Sequence, residues 1–404
     1  MSTPTQNSPL VSTEQGLAEV LGLQYSGVRA GLKASGSPDV ALVHNQGPEF
    51  SAASVFTTNR FAAAPVEWSR EAVSDGRADA VVVNSGGANA CTGPEGFAAT
   101  HRTAEHVANL LGVSALDVVV CSTGLIGEQL PMDKLLPGLD HAVTELGAGG
   151  LADDAAARAI MTTDTVPKKA SLAFDTDEGT VHVGGVAKGA GMLAPGLATM
   201  LVVLATDASL PSDVLNRSLH AATEQSFNRA DSDGCMSTND TVTLMASGAS
   251  GVHPSETDFT EALTKVCVSL ALQLISDAEG AQHDIHVTTK NAVTEGQALE
   301  VSRAVARSNL FKCAIFGNDP NWGRILSEVG TTQAEFTPGA VNVSINGVEI
   351  CRGGAIGDDR DLVDLAADRK VDVVIDLAAG DQSATIWTND LTYDYVEENS
   401  AYSS

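Results

Sequence analysis

Six consecutive apolar residues, Met200–Ala205, follow closely on a stretch of glycines and a proline. The run is far short of the roughly 20 apolar residues that span a bilayer. It also lacks the in–out alternation of a strand with one wet face. It predicts a strand over Thr199–Thr206 that is buried on both sides. Shorter β-branched runs recur upstream. Ala80–Val83 runs into Asn84-Ser85-Gly86-Gly87, and Asp117–Val120 runs into Cys121-Ser122-Thr123-Gly124, with a helix expected between them over Gly96–Leu111. Strand, helix and strand in that order predict an α/β layer near the front of the chain. Ala152–Met161 is a second helix candidate. Over Asp258–Ala278, Phe259, Leu263, Val266, Leu270 and Leu274 keep a helical period, with Gly280 placed to cap the end. Two hairpins are expected late in the chain: Val341–Ile345 with Val348–Cys351 across Asn346-Gly347, and Asp372–Leu377 with Ser383–Thr388. The first dozen residues read as a loose arm. With 404 residues, two or three domains are the prior expectation. The sequence nevertheless contains no repeat and no clear linker.

Aromatic residues make up only 4% of a chain that is 43% hydrophobic, so the core must be built from Ala, Val, Leu and Ile. The 23 Lys and Arg stand against 51 Asp and Glu, a net charge of −28. That balance argues against nucleic-acid partners, whose phosphates need basic side chains. It suits a cationic substrate, and equally a merely solubilising coat. The six cysteines lie at 91, 121, 235, 267, 313 and 351 with no C-x-x-C among them. Free thiols are therefore expected rather than disulfides or a zinc site. Met1–Thr13 is polar and carries no Lys or Arg, unlike a secretory signal. The reading is a cytoplasmic protein with no membrane association.

Chemistry-bearing patterns are few. The stretch Gly184-Gly185-Val186-Ala187-Lys188-Gly189-Ala190-Gly191 matches neither a P-loop nor a dinucleotide fingerprint, and a glycine loop between two strands is the expectation. It leads through Leu197-Ala198 to Thr199, where a hydroxyl approached closely by backbone could act as a nucleophile. His283 and His286 would point to opposite faces of a strand, so shared metal ligation is not expected. Asp231-Ser232-Asp233-Gly234 has its glycine and closing residue in the wrong places for a calcium loop. Asp277 and Glu279 fall at a helix C-terminus, where the macrodipole disfavours anions. Either that end is solvated or a carboxylate there is aimed at a cationic substrate.

Taken together, the segments resemble the ornithine acetyltransferase family, the bifunctional glutamate N-acetyltransferases of arginine synthesis. The run from Lys188 to Pro195, followed by Leu197-Ala198-Thr199-Met200-Leu201, looks like the family's self-cleavage segment. Further matches in family order are Val55–Asn59, Asn84–Gly93, Ser122–Gly127, Met161–Thr165, Ser226–Arg229, Ser237–Asp240 and Phe316–Arg324. They extend from about residue 20 to the end.

The resemblance implies an α+β fold, a layered α/β sandwich of the self-cleaving N-terminal-nucleophile type with a smaller β-rich C-terminal part. It implies scission between Ala198 and Thr199, giving an α chain of residues 1–198 and a β chain of residues 199–404. The new Thr199 amine, with an ordinary pKa of about 7.7–8.0, would serve as the local base for its own hydroxyl. Thr199 would take acetyl from N-acetylornithine and pass it to glutamate in a ping-pong cycle. Thr123 and Gly124 would hold the oxyanion, with their backbone N–H groups free in a strand-end turn. Substrate contacts carry over to Thr162, Lys188, Thr199, Glu279, Asn399 and Ser404. Lys188 would pair with a substrate carboxylate and Glu279 would take the amino side. An ordered tail would close the site. No metal and no cofactor is implied. The same motifs occur whether or not acetyl-CoA is an additional donor. The partners implied are the small substrates and a heterotetramer of cleaved chains. One departure stands out: Gln282-His283 occupies the place of an expected small hydroxyl residue and Lys, so that any basic contact there becomes weaker or pH-dependent. The competing readings are a self-cleaving aminopeptidase or amidase with water as acceptor, and a non-enzymatic binder of small anions.

Overall fold

The computed structural model describes residues 11–194 and 200–401. Ala198, Thr199 and Ser404 lie outside them. The chain divides into two compact units. One takes in the described residues of Met1–Gly189, Gly196–Phe227 and Met236–Gln273; the other takes in those of Ala190–Pro195, Asn228–Cys235 and Leu274–Ser404.

The first unit holds two sheets. Strands β1 (Leu23–Val28), β2 (Val40–Asn45), β4 (Ala80–Asn84) and β5 (Val118–Ser122) run in the order β1-β2-β4-β5. Strands β3 (Ser51–Phe56), β6 (Lys168–Thr176), β7 (Gly179–Lys188), β8 (Leu201–Thr206) and β9 (Thr241–Ala246) run in the order β3-β9-β8-β7-β6. Its helices are α1 (Ala64–Ala72), α2 (Gly93–Leu111), α3 (Met132–Thr144), α4 (Gly150–Ala159), α5 (Ser212–Glu224) and, through Gln273, α6 (Glu256–Ser276).

The apolar runs explain this layering. In β4, Val81 and Val83 face a core shared with Leu201, Val203 and Ala205 of β8 and Met245 of β9. The alternate residues Ala80 and Val82 face a second core with Val107 of α2 and Leu135 and Leu139 of α3. A strand buried on both sides needs no polar alternation, and each fully buried Val or Leu contributes roughly 1.5–3 kcal/mol. The layered sandwich expected from the sequence is present. The helix α6 is long and apolar enough in composition to cross a membrane, with a mean hydropathy of 1.3. Its Phe259, Leu263, Val266 and Leu270 are instead buried inside the protein.

The glycine stretch departs from expectation. Gly184 and Gly185 are not in a loop; they lie within β7, paired with Ala205 and Leu204. A Cβ on Gly184 would stand 1.9 Å from the Gly16 carbonyl oxygen, so close backbone approach is what requires glycine there. The N-terminal arm is also shorter than expected, since Ser12 already pairs with Ser171.

The second unit contains β10 (Asp284–Ala292), α7 (Glu295–Ala306), α8 (Asn309–Phe316), α9 (Trp322–Val329), β11 (Asn342–Ile345), β12 (Val348–Arg352), β13 (Ala355–Ile356), β14 (Lys370–Asp376), β15 (Gln382–Asn389) and α10 (Tyr393–Ala401). Its six-stranded sheet has the order β13-β12-β11-β14-β10-β15. The Asn346-Gly347 hairpin forms, with both residues at positive φ (47° and 83°). The second expected hairpin does not. β10 enters between β14 and β15, parallel to the first and antiparallel to the second. Two runs flanking a short loop read as neighbours, whereas each is paired by a strand 86 to 105 residues upstream.

Candidate functional site

Among the described residues, the expected site residues fall into two groups, one in each unit. In the first unit, the strand register brings three chain segments to one sheet end. Lys188 is opposite Leu201, and Leu201 is opposite Thr241. Lys188, Met200 and Asp240 therefore sit side by side at that end. In the other sheet Asn84 is opposite Ser122, so the Thr123-Gly124 turn begins where β5 stops. Asn239 ties this turn down by donating to the Ser122 carbonyl at 2.8 Å and the Ala88 carbonyl at 2.6 Å.

The turn differs from expectation in one respect. The Thr123 N–H is not free; it donates to the Asn84 carbonyl at 3.0 Å. What remains is the Thr123 hydroxyl and the Gly124 N–H, for which no acceptor is found among the described residues. The Lys188 ammonium donates to Thr123 Oγ1 at 3.2 Å in a buried setting, and that bond leaves the hydroxyl hydrogen available to another acceptor. An oxygen that accepts from a cation becomes a better donor. The arrangement thus offers one hydroxyl and one amide to a developing negative charge. Gly124 has φ +132°, and a Cβ there would stand 2.7 Å from the Gly87 nitrogen. Gly124→Ala is therefore expected to displace the turn and lower any activity that uses this donor pair about 10²–10³-fold, while the thermal midpoint falls only modestly. Steady-state kinetics beside a melting curve checks this.

Lys188 is 2% exposed. Its charge is balanced by Asp164. Burial by itself would raise the Asp164 carboxyl, but Lys188, Lys168 at 2.6 Å and the Gly189 N–H at 2.7 Å together hold it down to about 2. Thr162 joins the same knot through its N–H, which donates to the second Asp164 oxygen at 2.9 Å. Lys33 stands nearby, its ammonium bonded to the Met161 carbonyl at 2.6 Å and pushed below the ordinary lysine value by burial. Asp240 is fully buried and accepts the Met200 N–H at 3.0 Å, and burial pushes its carboxyl well above the usual range.

In the second unit, Asn399 on α10 donates to Glu279 Oε2 at 3.0 Å, so two expected substrate residues meet. Gly191 makes room for that carboxylate, since a Cβ there would come within 2.6 Å of Glu279 Oε2. A cavity of about 560 Å³ lies beside them, lined by Glu279, Asp233, Arg307, Lys312, Asp390 and Tyr395. Burial pushes Lys312 below the usual lysine value despite the pull of Asp233, Asp231 and Asp390. His283 offers no open basic group. Its Nδ1 meets Asp390 Oδ2 at 2.7 Å and its Nε2 meets the Leu365 carbonyl at 3.3 Å. The departure at Gln282-His283 thus serves as an internal latch, with both backbone N–H groups also donating to Asp390 Oδ1.

Sequence reasoning missed Lys33, Asp164, Lys168, Asp240, Asp233 and Lys312. Asp164 and Asp240 lie inside quoted family segments, Met161–Thr165 and Ser237–Asp240. Asp233 belongs to the segment set aside as a poor calcium loop. Polar residues flanking a buried strand were the available signal.

A family model described as the ArgJ family matches residues 24–404. The chain is similar to the arginine biosynthesis bifunctional protein ArgJ of Streptomyces coelicolor, 60% identical over 383 residues that cover 95% of this chain and 98% of that protein. It is also similar to the protein of the same name from Mycobacterium tuberculosis strain H37Rv, 51% identical over 395 residues, covering 96% and 97%. Among solved structures it is similar to an ornithine acetyltransferase complexed with ornithine from Mycobacterium tuberculosis. That match has 51% identity and a TM-score of 0.45, and covers 48% of this chain and 100% of that one.

Proposed function

The chain belongs to the ArgJ family, as an enzyme of arginine biosynthesis, and from that premise we propose that it carries acetyl from N-acetylornithine to glutamate on Thr199. The precursor first cuts itself between Ala198 and Thr199. The Thr199 hydroxyl adds to the Ala198 carbonyl, the C–N bond breaks with protonation of nitrogen, and water hydrolyses the resulting ester. The freed amine then accepts the hydroxyl proton as Thr199 attacks N-acetylornithine. Ornithine leaves with a proton on its nitrogen. Glutamate's amine attacks the acetyl ester, N-acetylglutamate departs, and Thr199 regains its proton. Each addition places negative charge on a carbonyl oxygen.

The observation that carries this reading is the donor pair of the Thr123 hydroxyl and the Gly124 N–H, braced by Lys188. Lys188 ends the strand that leads into the cleavage segment. A buried ammonium behind the hydroxyl strengthens its pull on an oxyanion without moving during the reaction. Glu279 and Asn399 take the polar ends of the amino-acid substrates, with Thr162 and Ser404 contributing as the family resemblance implies. Lys188, buried against Thr123, serves the oxyanion more directly than it serves a substrate carboxylate. The reading needs no metal and no cofactor. Acetyl-CoA enters only as an alternative donor to the same hydroxyl. Association of the cleaved chains as a cytoplasmic heterotetramer belongs to the same proposal.

N-terminal sequencing of the purified protein, followed by an acetylornithine–glutamate exchange assay with and without acetyl-CoA, tests it. A second N-terminus at Thr199 and transfer to glutamate faster than hydrolysis support it. Release of acetate with no N-acetylglutamate would assign the protein to the amidase reading instead.

A further inference from the structure

The segment Ala190–Ala194 precedes the proposed cleavage site in the chain, and within the second unit it is held at Ala190, Met192 and Leu193. The Glu279 N–H donates to the Ala190 carbonyl at 2.9 Å, and the Ser232 N–H donates to the Leu193 carbonyl at 2.6 Å. Between them, the Met192 N–H donates to Asp233 Oδ2 at 2.7 Å. Met192 has φ +55°, in the left-handed region that a methionine rarely adopts. A residue is kept there only when its surroundings over-determine it.

Those surroundings are rigid. The other Asp233 oxygen accepts the Cys235 N–H at 3.1 Å, closing its own turn. Asp231 is buried against Arg307 at 2.7 Å and donates its N–H to the Trp387 carbonyl at 2.8 Å. Lys312 donates to the Ser232 carbonyl. The loop is therefore pinned on both sides of Asp233, and its carboxylate is presented to Met192 in a fixed direction.

We infer that Asp233 is a positioning residue for self-scission: by gripping the Met192 N–H it imposes a left-handed bend in the segment that precedes the Ala198–Thr199 peptide in the chain. The inference rests on the proposed scission. Methionine does not prefer the bend, so it exists because the clamp exists. Without the clamp, Met192 relaxes to an extended or right-handed backbone and the proposed scission slows. A small misplacement of reacting groups costs orders of magnitude in rate.

The test follows scission of freshly translated full-length precursor by denaturing gel and intact mass, with Thr199→Ala as the uncut control. Asp233→Ala is expected to slow scission about tenfold to a hundredfold. Met192→Asn, in the Asp233→Ala background, is expected to restore most of the rate, because Asn accepts the left-handed region without a clamp. A merely structural role for Asp233 gives no such rescue. Met192→Val, with Asp233 intact, should also cut slowly while its melting temperature stays close to that of the wild type. Scission of Asp233→Ala or Met192→Val at the wild-type rate overturns the inference, as does a slow Asp233→Ala that Met192→Asn fails to rescue. If Asp233→Ala does not fold, Met192→Val decides alone. A wild-type precursor that never cuts refutes the scission proposal itself, and is told apart from the other outcomes by the wild-type lane.

Discussion

Thr199→Ala is expected to accumulate as one uncut chain and to lose acetyl transfer by about 10⁶-fold, the scale on which removal of a covalent nucleophile is felt. One side chain accounts for both losses. In the proposed mechanism its hydroxyl opens the backbone, and only then does the free amine that activates the same hydroxyl exist. Thr199→Ser keeps the hydroxyl and is expected to retain both scission and transfer at a lower rate. Thr199→Val has nearly the shape of threonine without its oxygen and should behave like Ala. Intact mass and the exchange assay, run on the same preparations, read both properties. Transfer by the Ala variant at anything near the wild-type rate would detach the chemistry from position 199.

Asp164→Asn is expected to be strongly destabilising in the first unit. The native carboxylate lies between Lys168 and Lys188, itself almost fully buried, as are both lysines. Removing its charge takes one counter-ion away from two buried cations, and breaking a buried pair costs about 3–5 kcal/mol. Against a typical total of about 5–15 kcal/mol, that is a large share. Denaturant melts of the two proteins measure the difference. Transfer should fall as well, because Lys188 then no longer stands squarely behind Thr123. The same group fixes an acid limb. Its folded value of about 2 lies below the ordinary 3.8, so the stability it contributes is complete above about pH 4 and is lost as pH falls towards 2. The shift corresponds to roughly 2 kcal/mol. In Asp164→Asn that part of the acid dependence should vanish, leaving a shallower fall in the melting temperature between about pH 4 and 2. An unchanged acid limb would mean that other carboxylates govern it.

The elements that could be read from the chain are those whose burial is written locally. Ala80–Asn84 and Leu201–Thr206 are apolar throughout because both faces are covered, and Asn346-Gly347 turns because both residues accept positive φ. Gly184 and Gly185 read as loop residues because glycine is a poor strand former. Glycine is required at 184 by backbone from Gly16, far away in sequence, which no local pattern records. β14 and β15 were paired wrongly for the same kind of reason: the competitor, β10, enters from a distant part of the chain.

The site shows a similar division. Thr123, Gly124, Lys188, Glu279 and Asn399 were named through the family resemblance, and Thr123 meets Lys188 as Glu279 meets Asn399. The expectation of a free Thr123 N–H failed because Asn84, at the end of the neighbouring strand, takes it. Asp164 and Asp240 escaped notice because a carboxylate's importance depends on what is buried with it. Asp164 is tied to Lys188, 24 residues on, and Asp240 to Met200, 40 residues back. Neither pairing leaves a periodic mark in the sequence.

The central claim is that acetyl rides on the Thr199 oxygen. The most direct measurement is to mix the purified enzyme with N-acetylornithine in the absence of glutamate, quench in acid, and map the peptides by mass. The account predicts a peptide beginning at Thr199 that is heavier by one acetyl group, and that loses it when glutamate is added before the quench. An acetyl group on any other residue, or rapid turnover by a chain that has no N-terminus at Thr199, would contradict it.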